Sequence, residues 1–301
     1  MRRLIVLSWL GLIGWGWAEE IKPVVPVEPK VRLTKLAEAL LGKNGGNQLF
    51  YFPTHDVPAT PKDWGFEFEE VWFRSKDGTR LSGWFVPTQG KLKGEAKATV
   101  VFSHGNTGSI GHHLGFCLWL VDAGYNVLTY DYRGFGKSAG RVDRRGTLDD
   151  VRAAFDYVAK RVDGDAGRLV SMGHSLGGAS TLVALSEAPV KGLRAVVTDA
   201  AFLSYRAMAR RIAGEVGGNL VSDEWSPKDW VAKIAPVPLL MIHGTDDELV
   251  PFAQGRQLFA VAAQPKTMFE VKGGRHGDSL LRNEGAYRKK LLAWLDEQLK
   301  K

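Results

Sequence analysis

The sequence has a single cysteine, and this shortage restricts how the chain can be stabilised. Cys117 is the only cysteine among 301 residues, so no intrachain disulfide can form and folding depends on core packing. The surrounding stretch LGFCLWL is apolar, which favours a buried, inert thiol, because a cysteine nucleophile needs an accessible, electropositive setting. The composition is otherwise ordinary for a globular protein, with 45% hydrophobic and 24% charged residues.

An apolar run long enough to span a membrane is missing from the N-terminus. The uncharged stretch there covers 14 residues, 4–17, against the roughly 20 that a transmembrane helix needs. Arg2 and Arg3 precede it, and the triplet GWA at residues 16–18 overlaps its end. This order of charge, apolar run and small residues is typical of a secretory signal peptide. We therefore expect residues 1–18 to direct export to the periplasm or outside the cell, with a membrane anchor as the alternative.

Clustered basic residues are also lacking, although the formal net charge is +7. The pairs Arg144-Arg145 and Arg210-Arg211 are isolated doublets without interleaved aromatic residues, unlike the basic stripe of a nucleic-acid module. We expect no nucleic-acid partner. A solvated basic surface is the simpler interpretation, and it would favour weak peripheral association with anionic lipid if the exported protein works near a membrane.

The order of strand and helix patterns predicts an α/β fold. FEFEEVWF and RLSGWFVP, from residue 66 onward, alternate apolar and polar residues as an antiparallel hairpin does. Six later runs are short and apolar throughout, as expected of strands buried on both faces: ATVVFSHG, YNVLTYDY, GRLVSMGHS, LRAVVTDA, VPLLMIHG and KTMFEVKGG. Helical patterns lie between them, so we predict a mostly parallel eight-stranded sheet flanked by helices.

The chain divides into an N-terminal extension and one catalytic domain. Residues 19–62 contain six prolines around one short amphipathic segment, which predicts a proline-rich extension after the signal segment. The catalytic domain is predicted to cover residues 63–301. Within it, residues 202–235 interrupt the alternation after the sixth strand, and we predict that this insertion is a short lid.

The motif Gly173-His-Ser175-Leu-Gly177 fits G-x-S-x-G between an apolar strand and a helix. A serine in a tight strand-to-helix turn needs small neighbours two residues away, because larger side chains would collide with the strand or the helix. The pattern alone could also be an ordinary glycine turn. Its position after LVSMG favours a nucleophile elbow presenting Ser175.

A serine nucleophile requires a histidine base that is oriented by an acid. His276 follows the last strand in the glycine-flanked loop GGRHGD, where it can reach over the carboxyl edge of the sheet. We predict that the acid is Asp247 in HGTDDELVP, with Asp246 and Asp199 as rival positions. His104 and His243 are predicted to be buried hydrogen-bonding residues, and His174 is predicted to point away from the serine. His112 and His113 lack a third ligand at metal-binding spacing, and His55 has no predicted partner.

An oxyanion hole should complete this site. VVFSHGNTG ends the first parallel strand, and its turn can direct the backbone N–H of Asn106 at the developing charge beside the N–H of Leu176. Thr107 is the alternative donor in the same turn.

Two nucleotide-binding patterns occur in DYRGFGKSAG, and both fail on spacing. GKS lacks the glycine that a phosphate loop needs five residues before Gly136, where Asp131 stands. Residues 134–139 match G-x-G-x-x-A, but the next helix starts too late for dinucleotide binding. Thr147 with Asp150 three residues later resembles a capping box, which predicts that this helix starts near Thr147. We therefore predict no cofactor and no metal.

Five motifs occur in one order over residues 66–299: SHGNTG, DYRGFGKSAG, GHSLGG, HGTDDELVP and GGRHGD. Together they resemble the serine-hydrolase branch of the α/β-hydrolase superfamily, which includes monoacylglycerol-lipase-like, lysophospholipase-like, depalmitoylase-like and serine-aminopeptidase-like proteins. The resemblance implies Ser175 as nucleophile with Asp247 and His276, and the backbone of Asn106 and Leu176 as oxyanion donors.

The predicted activity is cofactor-free cleavage of a carboxylic ester, from a small acyl ester or a lipid, through an acyl-serine intermediate. An aminopeptidase or amidase with the same triad is one alternative, and a non-catalytic binding protein is another. Phe202, Leu203, Met208 and Trp225 are candidate acyl contacts of the lid, with core packing as the competing interpretation. The insertion is short beside the caps of many relatives, so acyl-chain specificity does not follow from the resemblance.

Overall fold

The computed structural model describes residues 50–89, 94–161 and 167–300. The predicted signal or anchor segment 1–18 and most of the extension lie outside the described residues. Ten strands occur in the described chain: β1 (Phe52–Pro53), β2 (Glu69–Arg74), β3 (Arg80–Val86), β4 (Thr99–Ser103), β5 (Thr107–Gly108), β6 (Asn126–Tyr130), β7 (Leu169–His174), β8 (Leu193–Asp199), β9 (Leu239–Gly244) and β10 (Lys266–Val271).

Eight of these strands form one sheet in the order β10-β9-β8-β7-β4-β6-β3-β2. The pairs β2-β3 and β3-β6 are antiparallel, and the pairs from β6 through β4 to β10 are parallel. Strands β4, β6, β7 and β9 are buried along their whole length, as apolar runs without alternation predict. For β10 the prediction of burial on both faces is wrong, because this strand lies at the edge of the sheet and is only half-buried.

Helices cover both faces of the sheet: α1 (Leu114–Cys117), α2 (Trp119–Asp122), α3 (Arg144–Ala159), α4 (Leu176–Glu187), α5 (Tyr205–Leu220), α6 (Phe252–Val261) and α7 (Arg282–Leu299). One core contains Val101 of β4 with side chains of α3, α4 and α6. The other contains its neighbours Val100 and Phe102 with side chains of α1, α2 and α7. The predicted α/β class, a mainly parallel sheet flanked by helices, is confirmed.

The predicted start of α3 at Thr147 is wrong by one turn. The helix begins at Arg144, because the Asp143 side chain caps it by accepting a hydrogen bond from the Gly146 N–H. Asp150 cannot serve as a capping partner of Thr147, since its buried carboxylate is bonded to Arg133.

The insertion after β8 contains α5 and two short 3-10 turns, Pro227–Asp229 and Val231–Ile234. Gly214 interrupts α5 with a positive φ of 63°, and the second part packs on the first through Gly217, where a Cβ would lie 2.7 Å from the Ala209 carbonyl. None of the helices in the described part of the chain combines the length and apolarity needed to cross a bilayer.

The end of the predicted extension is packed into the domain. Strand β1 pairs in parallel with β5, and Phe50 and Tyr51 before it are buried. Tyr51 Oη lies 3.3 Å from Tyr205 Oη at the start of α5. The folded domain therefore includes residues that precede the predicted boundary at 63.

The glycine-rich loop DYRGFGKSAG is held by hydrogen bonds of Ser138 and by the close packing of Gly136. Ser138 Oγ donates to the Asp131 carbonyl at 2.7 Å and accepts from the Ser82 N–H at 2.9 Å. A Cβ on Gly136 would lie 2.0 Å from the Asp131 carboxylate, so a larger residue at position 136 would collide with that buried side chain.

Arg133 of the same loop is the centre of a buried ionic network. Its guanidinium donates to Asp150 at 2.8–3.2 Å, to Asp77 at 2.9 Å and to Ser75 at 3.0 Å. The Asp150 side chain is 0% exposed, so its negative charge depends on Arg133 for compensation.

Replacing Arg133 by Met should lower the free energy of unfolding by about 3–5 kcal/mol, because a buried carboxylate would lose its partner. Urea unfolding measures this change. Lys137→Met is the matched control in the same loop, since Lys137 pairs with Glu70 at 3.1 Å on the exposed surface and should lose at most about 1 kcal/mol. Equal losses in both variants would contradict the assigned role of Arg133.

Candidate active site

Ser175 lies in a strained turn between β7 and α4. Its backbone has φ 53° and ψ −117°, a conformation that a non-glycine residue adopts only when its surroundings impose it. Its N–H donates to the Asp199 carbonyl at 2.8 Å. A Cβ on Gly173 would lie 2.6 Å from the Gly178 nitrogen, and one on Gly177 would lie 2.0 Å from the Ser103 carbonyl oxygen. The two glycines of the motif are therefore required by backbone contacts on both sides of the serine.

Gly177→Ala should destabilise the protein by about 3 kcal/mol, because the added methyl meets backbone that cannot rotate away. Thermal unfolding would measure the loss. Gly115→Ala is the matched control, since its Cβ would meet only the exposed Trp64 ring at 3.4 Å. A Gly177→Ala variant as stable as the control would show that the elbow is not held by this contact.

The structure brings the three predicted side chains into one hydrogen-bonded line. His276 Nε2 lies 3.0 Å from Ser175 Oγ, and His276 Nδ1 lies 2.9 and 3.1 Å from the two carboxylate oxygens of Asp247. A carboxylate only accepts, so Nδ1 carries the proton of the neutral ring. Nε2 is then the bare nitrogen that can accept the hydroxyl proton of Ser175.

The Asp247 carboxylate is held as an anion. Its side chain is 0% exposed, and Oδ1 accepts from the Leu249 and Val250 N–H groups at 2.9 and 2.8 Å. His243 Nε2 lies 3.3 Å from Oδ2. Burial raises the pKa of Asp247, but the hydrogen bonds from His243, His276 and the Val250 backbone outweigh it and hold the pKa well below its ordinary value.

The two rival acids are bonded elsewhere. Asp246 is exposed and accepts from the neighbouring Thr245 hydroxyl at 2.9 Å. Asp199 is buried, and its Oδ2 lies 3.3 Å from His174 Nδ1. Asp247 is therefore the acid that orients His276 in this structure.

The remaining histidines take structural positions. His174 stacks on Phe116 with ring centroids 4.3 Å apart. His104 and His243 are buried and hydrogen-bonded at strand ends, as predicted: His104 Nδ1 lies 2.7 Å from the Gly105 carbonyl and His243 Nε2 lies 2.8 Å from the Val250 carbonyl. Among the residues the structure describes, no three side chains of His, Cys, Asp or Glu form a metal-binding group.

The two predicted oxyanion donors belong to the helix start that follows the serine and to the turn that follows β4. Leu176 is the first residue of α4, so no earlier helical carbonyl accepts from its N–H. Asn106 lies in the turn between β4 and β5, and its carbonyl accepts from the Phe52 N–H at 2.7 Å. Across the described ranges, neither the Asn106 nor the Leu176 N–H donates to a protein acceptor, which leaves both able to bind a substrate oxygen.

The four residues predicted as acyl contacts are packed against the core. Phe202 is buried and packs edge-to-face on Tyr205 with ring centroids 5.1 Å apart. Leu203, Met208 and Trp225 are partly buried against the same core. Cys117 is also buried, and burial raises the pKa of its thiol, in agreement with the predicted inert thiol.

Reasoning from the sequence missed the contribution of residues 52–54 to this site. These residues pair with the predicted oxyanion turn through β1 and β5, and the partners lie 55 positions apart in the chain. Two-residue strands have no recognisable alternation, so no sequence signal could have revealed this contact.

Comparison with known proteins supports the fold and the family. A family model described as Hydrolase_4, serine aminopeptidase S33, matches residues 94–223. The chain is 36% identical to protein YfhR of Escherichia coli strain K12, over 82% of this chain and 86% of that protein. It is 31% identical to the alpha/beta hydrolase domain-containing protein WAV2 of Arabidopsis thaliana, over 83% of this chain and 87% of that protein.

Solved structures show the same architecture. The esterase Pf2001 of Pyrococcus furiosus superposes with a TM-score of 0.67 at 22% sequence identity, covering 83% of this chain and 97% of the esterase. At this identity the likeness concerns the fold alone. The sheet order, the serine elbow and the relatives that share most of their length with it make this chain a member of the α/β-hydrolase superfamily.

Proposed function

We propose that the protein is a serine hydrolase that cleaves a carboxylic ester through an acyl-serine intermediate. The observation that supports this most directly is the line of hydrogen bonds from Asp247 through His276 to Ser175, at 2.9 and 3.0 Å. Each residue follows a different strand of one sheet, so the carboxyl edge alone brings them together.

In the first half-reaction, Ser175 Oγ attacks the ester carbonyl carbon while its proton passes to His276 Nε2. The carbonyl oxygen becomes an oxyanion between the N–H groups of Asn106 and Leu176. When the tetrahedral intermediate collapses, the C–O bond to the alcohol breaks and His276 returns the proton to the leaving oxygen. The negative charge of Asp247 stabilises the imidazolium that exists between these two transfers.

In the second half-reaction, water attacks the acyl-serine. His276 accepts a proton from that water and then gives it to Ser175 Oγ as the acyl C–O bond breaks. The products are a carboxylic acid and the free serine, so the cycle consumes only ester and water.

A serine aminopeptidase is the second candidate, and the description of the matching family model favours it. Such an enzyme needs an acid to hold the ammonium group of its substrate. Asp199 is 1% exposed and bonded through one oxygen to His174, and Asp247 is bonded to His243 and His276. This engagement favours a neutral acyl substrate over an aminoacyl one.

Hydrolysis of p-nitrophenyl esters of graded acyl length, beside aminoacyl anilides, tests the reaction class. We expect faster turnover of the esters, and the optimum acyl length would show whether the substrate is lipid-derived. Faster turnover of the anilides would replace the esterase proposal by the aminopeptidase. No turnover of either, with no labelling by a fluorophosphonate, would favour a non-catalytic binding protein.

We further propose that the enzyme is exported, or tethered by its N-terminal segment with peripheral membrane association. The supporting observation is the order of basic pair, apolar run and small residues in positions 2–18. Intact-mass measurement on the protein expressed in full should show a mature chain that begins at Glu19. A mass that retains residues 1–18 in the membrane fraction would support the tether, and the same mass in the cytosol would contradict both.

A further inference from the structure

His104 is a buried imidazole that the mechanism above does not use. It follows β4 directly, is 0% exposed, and its ring lies against Tyr132 at 4.4 Å and His113 at 5.1 Å between centroids. Burial and the neighbouring His113 hold the pKa of His104 well below its ordinary value, so the ring is neutral. A neutral imidazole has a single N–H to donate.

The position of that proton follows from the partners of the ring. Nδ1 lies 2.7 Å from the Gly105 carbonyl oxygen, which can only accept, so Nδ1 carries the hydrogen. Nε2 has no hydrogen-bond partner among the described residues, and Asp131 Oδ1 lies 3.8 Å away. The only donor of this buried ring is therefore directed at one peptide unit.

That peptide unit carries the proposed oxyanion donor. The carbonyl of Gly105 and the N–H of Asn106 belong to the same planar amide and point in opposite directions. A hydrogen bond to the carbonyl oxygen restricts rotation of the plane and polarises the amide, which strengthens its N–H as a donor. The imidazole thus contacts the carbonyl end of the amide whose N–H is proposed to bind the substrate oxygen.

Each of the five backbone carbonyls of residues 104–108 accepts a hydrogen bond from another group of the protein. The donors, in the order of these carbonyls, are Tyr132 Oη at 2.9 Å, His104 Nδ1 at 2.7 Å, the Phe52 N–H at 2.7 Å, His113 Nε2 at 2.9 Å and the Thr54 N–H at 3.0 Å. Among these contacts, only the one from His104 acts on the Gly105–Asn106 peptide. The other four hold neighbouring peptide units, so they cannot replace its effect on the Asn106 N–H.

We propose that His104 is a positioning residue for the oxyanion hole, which orients and polarises the Gly105–Asn106 amide through its Nδ1–H. This inference rests on the proposed hydrolase function. It predicts that the loss of the imidazole weakens transition-state stabilisation and leaves substrate binding largely unchanged.

Two amide substitutions separate this role from ordinary packing. In His104→Asn, the side-chain NH₂ can occupy the place of Nδ1 and still donate to the Gly105 carbonyl. In His104→Gln, the amide reaches the place of Nε2, where the donor is misplaced. Both side chains are polar and uncharged. If His104 had a purely structural role, the two variants would have similar activity, or their activities would follow their melting temperatures.

We expect the Asn variant to keep kcat on a p-nitrophenyl ester within about threefold of wild type. The Gln variant should lose about 10- to 100-fold in kcat at nearly constant KM, somewhat less than the 10²–10³ typical of deleting an oxyanion donor. Affinity for a trifluoromethyl ketone, which forms an oxyanion adduct with serine, should fall in parallel. Melting temperatures of both variants are measured as the stability control.

Equal activity of the Asn and Gln variants, or a loss that appears in KM alone, would overturn the proposal for His104. A wild-type protein that neither hydrolyses esters nor reacts with a fluorophosphonate would instead contradict the proposed function. The two failures are therefore distinguishable in one set of assays.

Discussion

Replacing Ser175 by Ala should abolish labelling by a fluorophosphonate and reduce kcat on esters by about 10⁵- to 10⁶-fold, the scale seen when a nucleophilic serine is removed. The reason is that Ser175 Oγ is the atom placed 3.0 Å from His276 Nε2, and in the proposed mechanism it forms the covalent bond to the acyl group. In-gel fluorescence after probe treatment measures the labelling, and stopped assays with p-nitrophenyl esters measure the rate.

Ser171→Ala is the matched control for this prediction. Ser171 lies on β7, the strand that leads to Ser175, is 0% exposed, and its hydroxyl has no hydrogen-bond partner within the described part of the chain. Its removal should leave labelling and turnover near those of the wild type. Labelling that persists in Ser175→Ala, with a labelled peptide elsewhere in the chain, would show that another residue is the nucleophile.

Asp247→Asn should lower kcat by about 10⁴-fold with little change in folding, as the loss of the carboxylate does in other serine triads. The amide NH₂ would face His276 Nδ1 and favour the ring tautomer that carries its proton on Nε2. That nitrogen could then no longer accept the proton of Ser175. The Leu249 and Val250 N–H groups can still donate to the amide oxygen, so the loop should keep its shape.

Asp246→Asn provides the control in the adjacent position. Its carboxylate is exposed and bonded to Thr245, so its substitution should change kcat by less than about twofold. If Asp246→Asn were the inactive variant, or if Asp247→Asn kept a tenth of the wild-type rate, the assignment of the acid would be wrong. Asp199→Asn distinguishes the remaining rival in the same assay.

Much of the fold was predictable because its signals are local. Six short apolar runs separated by helical patterns predict parallel strands buried on both faces, and β4, β6, β7 and β9 are buried along their whole length. The sixth run forms β10 at the edge of the sheet, where it is only half-buried. The predicted start of α3 is wrong because it depends on a contact that is not local. Asp150 can be a capping residue on local criteria, but a loop 17 residues earlier supplies Arg133, which binds its carboxylate.

The chemistry of the site was partly readable in the same way. The tight turn at Ser175 requires glycines two residues away on each side, and this requirement is local. His276 is recognisable because it follows the last strand. The choice between Asp247 and its neighbour Asp246 could not be settled locally. Both are aspartates of one turn, and only the direction of each side chain distinguishes them.

By itself, the sequence determined the order of strands and helices, the serine elbow and the set of residues able to act with it, because turn sterics and apolar burial depend on near neighbours in the chain. Only the tertiary structure decided which acid contacts His276 and how β1 and His104 bond to the turn at residues 104–108. Those contacts join atoms brought together by sheet packing. Hydrogen bonds between distant segments depend on distance and direction in space, which residue spacing along a chain does not specify.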